Sequence, residues 1–279
     1  MSSNILLLGE YNVGKTNFGG QLLGRLNQEK GYLRMVGTPS SLSPFENALS
    51  SLNDGRAAQH TSASQYSDSR WPVADADGNS TELIWPDYGG EQVSSIRDNR
   101  SMPPEWRKRV ETADAWIVMM RINNSSVSDD IFSRPLSQLT ARQDKQSGPF
   151  RMSDQSRLVD FLQWLMFVRG TGTLSRVSTP RLLLLLSCWD ELTAPELNLP
   201  PLDVLRRRMP MVSSFVEANW DPNYRSIIGL SALEKSLSED TEDEDYIDLG
   251  PEHFGYIVQE DGSRSPDLTL AIKPVLGRT

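Results

Sequence analysis

The segment GEYNVGKT, residues 9–16, has the residue types and spacing needed to bind phosphate. It matches the pattern G-x-x-x-x-G-K-[ST] in full, between an apolar run that predicts a strand and a periodic run that predicts a helix. Its glycines let backbone N–H groups point at phosphate oxygens, and the helix N-terminus adds partial positive charge. An ordinary strand-to-helix turn would leave the lysine unexplained. The predicted nucleotide-binding residues here are Gly9, Asn12, Val13, Gly14, Lys15, Thr16 and Asn17.

Two residues of this segment have specific predicted roles. We expect Lys15 to reach the β- and γ-phosphates of a nucleotide, and the Thr16 hydroxyl to bind Mg²⁺. A second motif, D-x-x-G in IWPDYGGEQ, follows a predicted strand. Such tetrapeptides are common, but after a phosphate loop this one indicates that Asp87 holds a magnesium-bound water and that the Gly90 amide contacts a γ-phosphate.

The run PRLLLLLSCWDEL, residues 180–192, is too short to span a membrane, which takes about 20 apolar residues. It predicts a central strand of a parallel sheet that is covered on both faces. Ligands of open α/β sheets collect outside the carboxyl ends of the strands. We therefore expect Asp190, which follows the run, to stand at the rim of the binding site.

Composition limits the function classes. The 279 residues are 38% hydrophobic, enough for a sizeable core, and the net charge of −9 opposes binding to nucleic acid or an anionic membrane. One cysteine and two histidines exclude an internal disulfide and a zinc cluster, so we expect any metal to be bound by oxygen. The start of the chain lacks the pattern of a signal peptide, and we expect a cytoplasmic protein. The acidic run at residues 239–248 predicts a solvated loop.

Strand and helix patterns alternate along the chain, which predicts an α/β fold. We expect a mostly parallel sheet with one antiparallel edge strand and helices on both faces, in a single domain over residues 1–279. Its core would cover about residues 3–235, with a polar insertion at 123–156 and a C-terminal extension at 236–279. The other predicted elements are a hairpin turning at residues 77–79, an ambiguous helix near residues 44–55, helices at 153–170 and 202–219, and a last helix from about Asp267.

Together these motifs resemble the P-loop GTPases of the small-GTPase-like (TRAFAC) class. The resemblance implies a three-layer P-loop fold, GTP or GDP as ligand and Mg²⁺ as cofactor. SCWD, residues 187–190, falls at the base-reading position, and LSAL places Ser231 and Ala232 in the final guanine loop. Asp190 would then accept hydrogen bonds from guanine N1 and N2, which adenine cannot supply.

One departure from the family pattern weakens the guanine assignment. Cys188 stands where the family has a lysine whose stem packs over the base and ribose, so guanine preference would rest mainly on Asp190. A P-loop ATPase therefore remains an alternative. Cys188 and the adjacent Trp189 could equally be core residues at the end of a strand.

The resemblance also implies catalytic residues. Thr61, just before the hairpin, is favoured over Thr38 as the switch threonine that binds Mg²⁺. Glu91 and Gln92 follow D-x-x-G, where the family positions the attacking water, and we expect slow intrinsic turnover. Arg97 and Arg100, in the stretch beyond, are candidate internal arginine fingers or solvent-facing charges.

A narrower resemblance is to the bacterial double-GTPase-type proteins of NTP-dependent conflict systems. It rests on YNVGKTNFGGQLLGRL, on DYGGEQ and on the tail GYIVQEDGSRSPDLTLAIKPVL. It implies a bacterial protein that works with protein partners in a defence or regulatory system. Two hypotheses remain: a Mg²⁺-dependent switch that slowly hydrolyses GTP, and a scaffold or sensor that binds nucleotide without hydrolysing it.

Overall fold

The computed structural model describes residues 4–58, 66–88, 90–124, 152–172 and 174–276. Within these residues the helices are α1 (Lys15–Gln28), α2 (Ser43–Asn53), α3 (Gly90–Asn99), α4 (Pro104–Thr112), α5 (Asp154–Arg169), α6 (Pro201–Arg208), α7 (Pro210–Asn219) and α8 (Glu244–Leu249). The strands are β1 (Ile5–Leu8), β2 (Leu33–Met35), β3 (Tyr66–Asp75), β4 (Ser80–Tyr88), β5 (Ala115–Arg121), β6 (Arg181–Ser187), β7 (Arg225–Ser231), β8 (Tyr256–Val258) and β9 (Arg264–Ser265).

The main sheet has the strand order β1-β5-β6-β7-β8-β9. The first four of these strands are parallel, and β8 and β9 add antiparallel pairs at one edge. The expected α/β fold with a mostly parallel sheet is confirmed, and its antiparallel edge contains two strands. Because β1, β5, β6 and β7 run the same way, their carboxyl ends meet along one edge, where a site is expected.

The leucine strand β6 lies in the middle of this sheet and is buried, as predicted. Leu182, Leu184 and Leu186 pack into one core with residues of α4 to α7, and Leu183 and Leu185 pack into a second core with residues of α1. Alternate residues of a strand face opposite sides of the sheet. A strand covered on both faces must therefore be apolar throughout, which explains the unbroken run.

A second, antiparallel sheet joins β2, β3 and β4. The predicted hairpin is present: β3 and β4 pair over nine positions, and the turn between them has Gly78 at φ 85°. Asp75 stabilises the turn, since its Oδ1 accepts from the backbone N–H groups of Asp77 and Asn79 at 3.0 and 2.9 Å. This hairpin carries the D-x-x-G segment toward the end of β4.

Helices α1 and α2 pack closely because α1 carries glycines on the facing side. A Cβ at Gly19 would lie 2.4 Å from Phe45 Cδ1, and one at Gly20 would lie 3.0 Å from Ala48 Cβ. From the sequence alone, glycines in the helix after a buried strand indicate close packing of that helix onto the sheet, and this interpretation is wrong here. The helix predicted near residues 44–55 is α2, and it is the partner that the glycines accommodate.

Three other expectations need correction. The helix predicted over residues 202–219 is two helices, because Pro210 lacks an N–H and starts a new one. The segment after Asp267 forms 3₁₀ turns at Leu268–Ala271 and Lys273–Val275 rather than an α-helix. The acidic run is not only a solvated loop, because it contains α8 and buries Tyr246 completely.

The C-terminal segment is held against α1. Arg25 donates to the backbone carbonyls of Glu252 and Phe254, the latter at 2.8 Å, and Gln21 Nε2 donates to the carbonyl of Pro251 at 3.0 Å. Both α1 side chains are buried. Buried polar groups are costly without hydrogen-bond partners, so these backbone acceptors account for the polar residues on the inner face of α1.

Candidate functional site

The phosphate loop connects the carboxyl end of β1 to the first turn of α1, as the sequence predicted. Gly14 has φ 83° at the N-cap of α1, and Asn12 has φ 59°. These left-handed conformations favour glycine and asparagine over other residues. Gly9 is equally constrained, since a Cβ there would lie 2.9 Å from Val13 Cγ2 and 3.1 Å from the Met119 carbonyl oxygen. The loop therefore curls tightly in front of the N-terminus of α1.

Lys15, the first residue of α1, folds back over this loop. Its Nζ donates to the carbonyl oxygens of Gly9 and Glu10, at 2.9 and 2.8 Å. The ammonium group of Lys15 and the positive end of the dipole of α1 therefore lie close together beside the phosphate loop. This arrangement suits an anionic ligand such as a nucleotide phosphate.

Asp190 lies at the carboxyl end of β6, in a 3₁₀ turn over Trp189–Glu191. Ser231, the last residue of β7, is buried, and its Oγ donates to Asp190 Oδ1. The same Oγ accepts from the backbone N–H of Glu234 at 2.9 Å. The Ser231 hydroxyl thus orients the Asp190 carboxylate, and the structure brings together these two motif residues 41 positions apart.

A cavity of about 210 Å³ joins the phosphate loop to Asp190. Its lining includes three residues of the phosphate loop, one residue in the first turn of α1, and Asp190 and Ala232, which follow β6 and β7. These predicted cavity residues are Asn12, Val13, Gly14, Asn17, Asp190 and Ala232. The cavity also includes Ser187 and Cys188 of the predicted base-reading segment, and residues that the sequence reasoning missed: Ala57, Ala58, Met119, Arg121, Glu191, Leu233, Lys235, Ser236, Leu237 and Glu239.

The structure distinguishes the two interpretations of Cys188 and Trp189, as residues of the site or as residues of the core. Trp189 is fully buried and packs on Gly229, where a Cβ would lie 2.5 Å from its ring, so it is a core residue. Cys188 lines the cavity instead. Burial, together with the carboxylate of Glu191, raises the pKa of its thiol to about 11. The thiol is therefore protonated near neutral pH and forms a small neutral part of the wall.

An arginine beside this cysteine was missed. Arg121 ends β5 and pairs in register with Ser187 of β6, one strand away from Cys188. Its Nε donates to Glu191 Oε2 at 2.9 Å, and its Nη2 donates to Glu191 Oε1. The only available sequence signal was a charged residue at the end of an otherwise apolar strand. The partner 70 positions away follows no local pattern.

For the other predicted site residues, the structure describes only part of the backbone or side chain. Asp87 lies near the end of β4 and Gly90 begins α3, but the side chains of Asp87 and Glu91 are outside the described part of the structure. Gln92 is in the first turn of α3 and is half-buried. Thr61 is outside the described residues. Its alternative, Thr38, is exposed between β2 and α2.

The described chain nevertheless approaches the phosphate loop shortly before Thr61. The backbone N–H of Ala58 donates to Asn17 Oδ1 at 3.0 Å, and both residues line the cavity. Asn17 belongs to the first turn of α1. Its side chain therefore ties the segment that precedes Thr61 to the start of the helix that follows the phosphate loop.

The two arginines considered as internal fingers are both ion-paired. Arg97 is nearly buried, with a side chain 9% exposed, and it pairs with Glu10 of the phosphate loop and with Asp98. Arg100 pairs with Asp160 of α5 at 2.6 Å. Arg97 therefore links α3 to the phosphate loop through a carboxylate, and the solvent-facing alternative does not hold for it.

The donor set suits a magnesium ion held largely by phosphates and water. The described residues contain no group of three or more His, Cys, Asp or Glu side chains that could form a metal cage. Mg²⁺ binds hard oxygen ligands and commonly takes only one or two from the protein alongside substrate phosphates. Thr16, in the first turn of α1, places a hydroxyl on the helix that bears the phosphate loop.

A phosphate loop at the carboxyl edge of a parallel sheet, joined by one cavity to a carboxylate that follows a strand two positions away in the sheet, defines an α/β nucleotide-binding protein of the P-loop class. The model of the Double-GTPase 1 family matches residues 6–275, and the chain belongs to this family. Membership confirms the resemblance to P-loop GTPases and supports a GTP-binding, GTPase-like protein.

Two solved structures are similar to the chain. One is sup35 complexed with GDP, at 12% identity and TM-score 0.35, covering 88% of this chain and 44% of that one. The other is the S. cerevisiae Ski7 GTPase-like domain bound to GTP, at 14% identity and TM-score 0.41, covering 91% and 50%. The chain thus spans about half the length of each. A search of the curated proteins found no match. In the described part of the chain, no helix is long and apolar enough to cross a membrane.

Proposed function

We propose that the protein is a Mg²⁺-dependent guanine-nucleotide switch that slowly hydrolyses GTP to GDP and phosphate. The observation that carries this proposal is the continuous cavity from the phosphate loop to Asp190. A phosphate site alone would serve many nucleotides. A carboxylate fixed at the other end of the same cavity adds a means of recognising the base.

Each end of the cavity has a defined chemical task. The phosphate-loop N–H groups and Lys15 bind the phosphates, since the lysine Nζ is held over the loop by Gly9 and Glu10. Asp190, oriented by Ser231, accepts from the two donors on the guanine edge. Adenine lacks that pair of donors, so its binding would leave the half-buried Asp190 carboxylate without these two hydrogen bonds.

Hydrolysis requires a metal and a positioned water. Thr16, Thr61 and Asp87 are the residues that would hold Mg²⁺, directly or through water. When bound, the ion would neutralise charge on the β- and γ-phosphate oxygens. Glu91 or Gln92 would orient the attacking water. A carboxylate at the first of these positions is repelled by a γ-phosphate, which supports slow turnover without a partner.

The biological setting that we propose, from the resemblance of the sequence to double-GTPase-type proteins of conflict systems, is regulation of a protein partner in the cytoplasm of a bacterium. Nucleotide-dependent change in residues 55–66 and 88–104 would alter partner binding. The Asn17–Ala58 hydrogen bond and the Glu10–Arg97 ion pair support this, because each joins the phosphate loop or α1 to one of these segments.

The test is isothermal titration with GTP, GDP and ATP in Mg²⁺, for the wild type, Asp190→Ala and a control. Asp203→Ala on α6 is the control, since Asp203 is a half-exposed carboxylate outside the cavity lining. We expect guanine-selective binding that only Asp190→Ala abolishes. Equal binding of ATP would favour an ATPase.

Phosphate release separates a switch from a scaffold. We expect slow release from GTP that Lys15→Ala eliminates. Tight guanine binding with no release would instead identify a nucleotide-binding sensor that does not hydrolyse GTP.

A further inference from the structure

The cavity has an arginine beside the position where the family lysine is missing. Arg121 and Cys188 both line it, on the adjacent strand β5 and just after β6. Their backbones are neighbours because Arg121 pairs in register with Ser187. The side chain of Arg121, on β5, can therefore reach the part of the cavity wall that a lysine at position 188 would cover.

Arg121 is held in one orientation by Glu191. The two donors on one edge of the guanidinium, Nε and Nη2, bind the two oxygens of the carboxylate. Bidentate pairing fixes the plane of the guanidinium as well as its position. Both side chains are about one quarter exposed, at 24% and 25%. A partly buried ion pair is weak evidence of a contribution to stability. We therefore looked to the cavity for the role of this pair.

We propose that Arg121 replaces the missing lysine as the residue that packs over the face of the nucleotide base, with Glu191 as its positioning residue. The inference rests on the proposed function, because it assigns a role within the same nucleotide site. Arg121 would raise affinity by contact with the base face, and Asp190 would select guanine at the base edge.

The chemistry of arginine suits this role. The guanidinium is planar and weakly hydrated, and it stacks on aromatic rings and nucleic-acid bases. Engagement of one edge by Glu191 does not use its flat faces. A cation is also favourable there, because Asp190, Glu191 and Glu239 contribute carboxylates to the same cavity and the ligand is itself anionic.

Lys235 is the other cation among the described cavity residues, and its contacts point elsewhere. Its Nζ lies 2.6 Å from Asp243 Oδ1 and 2.9 Å from Asp245 Oδ2. It also lies 5.3 Å from the centre of the Phe254 ring. These partners draw the lysine toward α8 and the C-terminal segment, so Arg121 is the better candidate for the base contact.

The test compares Arg121→Ala with Asp190→Ala for binding of GDP and of inosine diphosphate, which lacks the 2-amino group. We expect Arg121→Ala to weaken both ligands about tenfold and to leave their affinity ratio unchanged. Asp190→Ala should instead bring the ratio close to one. A base-face contact changes affinity without selectivity, whereas a base-edge contact changes selectivity.

The matched control is Arg208→Ala. Arg208 forms a similar two-point ion pair with Glu196, at 2.7 and 2.6 Å, and neither residue lines the cavity. We expect normal GDP affinity in this variant. Thermal unfolding of all variants checks that they are folded.

A second variant tests whether Arg121 takes the place of the family lysine. In the Arg121→Ala background, Cys188→Lys restores the lysine of the family pattern, and we expect it to recover most of the lost GDP affinity. The inference is overturned if folded Arg121→Ala binds GDP like the wild type, or if it changes the ratio rather than the affinity. Failure of the wild type to bind guanine nucleotides would overturn the proposed function as well.

Discussion

At the residue scale, Cys188 is the position where the charge of the candidate site differs from the family pattern. The family lysine would bring a positive charge to this position, and the cysteine brings a neutral thiol. The charge at the same wall comes from Arg121 on the neighbouring strand. The cavity therefore contains a cation, Arg121, together with the carboxylate of Asp190, although the motif itself lacks the lysine.

The protonation state of Cys188 gives a direct test, because it is the chain's only cysteine. With a pKa of about 11, the thiol should be alkylated by iodoacetamide roughly a hundredfold more slowly at pH 8 than an ordinary cysteine of pKa about 8.5. The thiolate is the reactive form, so the rate should rise about tenfold per pH unit up to pH 9.5.

Urea-unfolded protein is the control for this experiment. There the rate should level off above about pH 8.5, because burial no longer raises the pKa. A native rate that levels off at the same pH would show that the thiol is not perturbed and that the wall around it is more open than described.

The residues that could be predicted from the sequence are those fixed by a local motif. Gly9, Gly14 and Lys15 follow from the backbone geometry of a phosphate loop, and Asp190 follows from its place after a buried strand. Arg121 could not be predicted, because its role depends on which strand lies beside β6. That neighbour is set by the topology of the sheet rather than by the spacing of residues along the chain.

At the element scale, α1 and α2 depend on each other through the glycines of α1. Glycine in a helix costs up to about 1 kcal/mol relative to alanine. The helix tolerates this cost because Phe45 of α2 occupies the space that a side chain at Gly19 would fill. The sequence revealed the unusual glycines but not the partner, since nothing local distinguishes packing on a sheet from packing on a helix.

Gly19→Ala should therefore destabilise the protein despite improving helix propensity. A Cβ 2.4 Å from the aromatic ring forces a shift of α2, and overpacking of this kind costs about 1–3 kcal/mol. We expect a decrease of that size in the free energy of unfolding by urea.

Gly24→Ala in the same helix is the control. Its Cβ would meet only the two methyl groups of Leu49, at 3.2 and 3.8 Å, and this flexible side chain can move. We expect no loss of stability, or a gain of up to about 1 kcal/mol. Equal effects of the two substitutions would show that α2 does not restrict Gly19.

The misassigned elements have different physical causes. The break between α6 and α7 comes from Pro210, which begins a helix as readily as it interrupts one. The burial of Tyr246 depends on contacts outside its own helix: its ring stacks on that of Phe254, with ring centres 4.0 Å apart, and its hydroxyl donates to the carbonyl of Leu233. Charge along a segment predicts solvent exposure only on average, and one aromatic residue can hold an acidic segment against the core.

At the scale of the whole molecule, the site unites parts of the chain that are far apart in sequence. The cavity is lined by the phosphate loop, by the ends of β5 and β6 and by the segment after β7. Helix α1, which follows the phosphate loop, also holds the C-terminal segment through Arg25 and Gln21. A nucleotide in the cavity would contact several of these units at once and would favour their native arrangement.

Nucleotide binding should accordingly stabilise the whole protein against heat. A ligand at a hundred times its Kd adds about 2.7 kcal/mol to the free energy of unfolding when it binds only the folded state. For a chain of this size, about 2–4 °C per kcal/mol gives a rise in Tm of roughly 5–10 °C. We expect GDP with Mg²⁺ to produce this rise, and ADP at the same concentration to produce much less. Asp190→Ala should remove the difference between the two ligands. A rise with ADP as large as with GDP in the wild type would contradict the assignment of Asp190, because both ligands share their phosphates and differ only in the base.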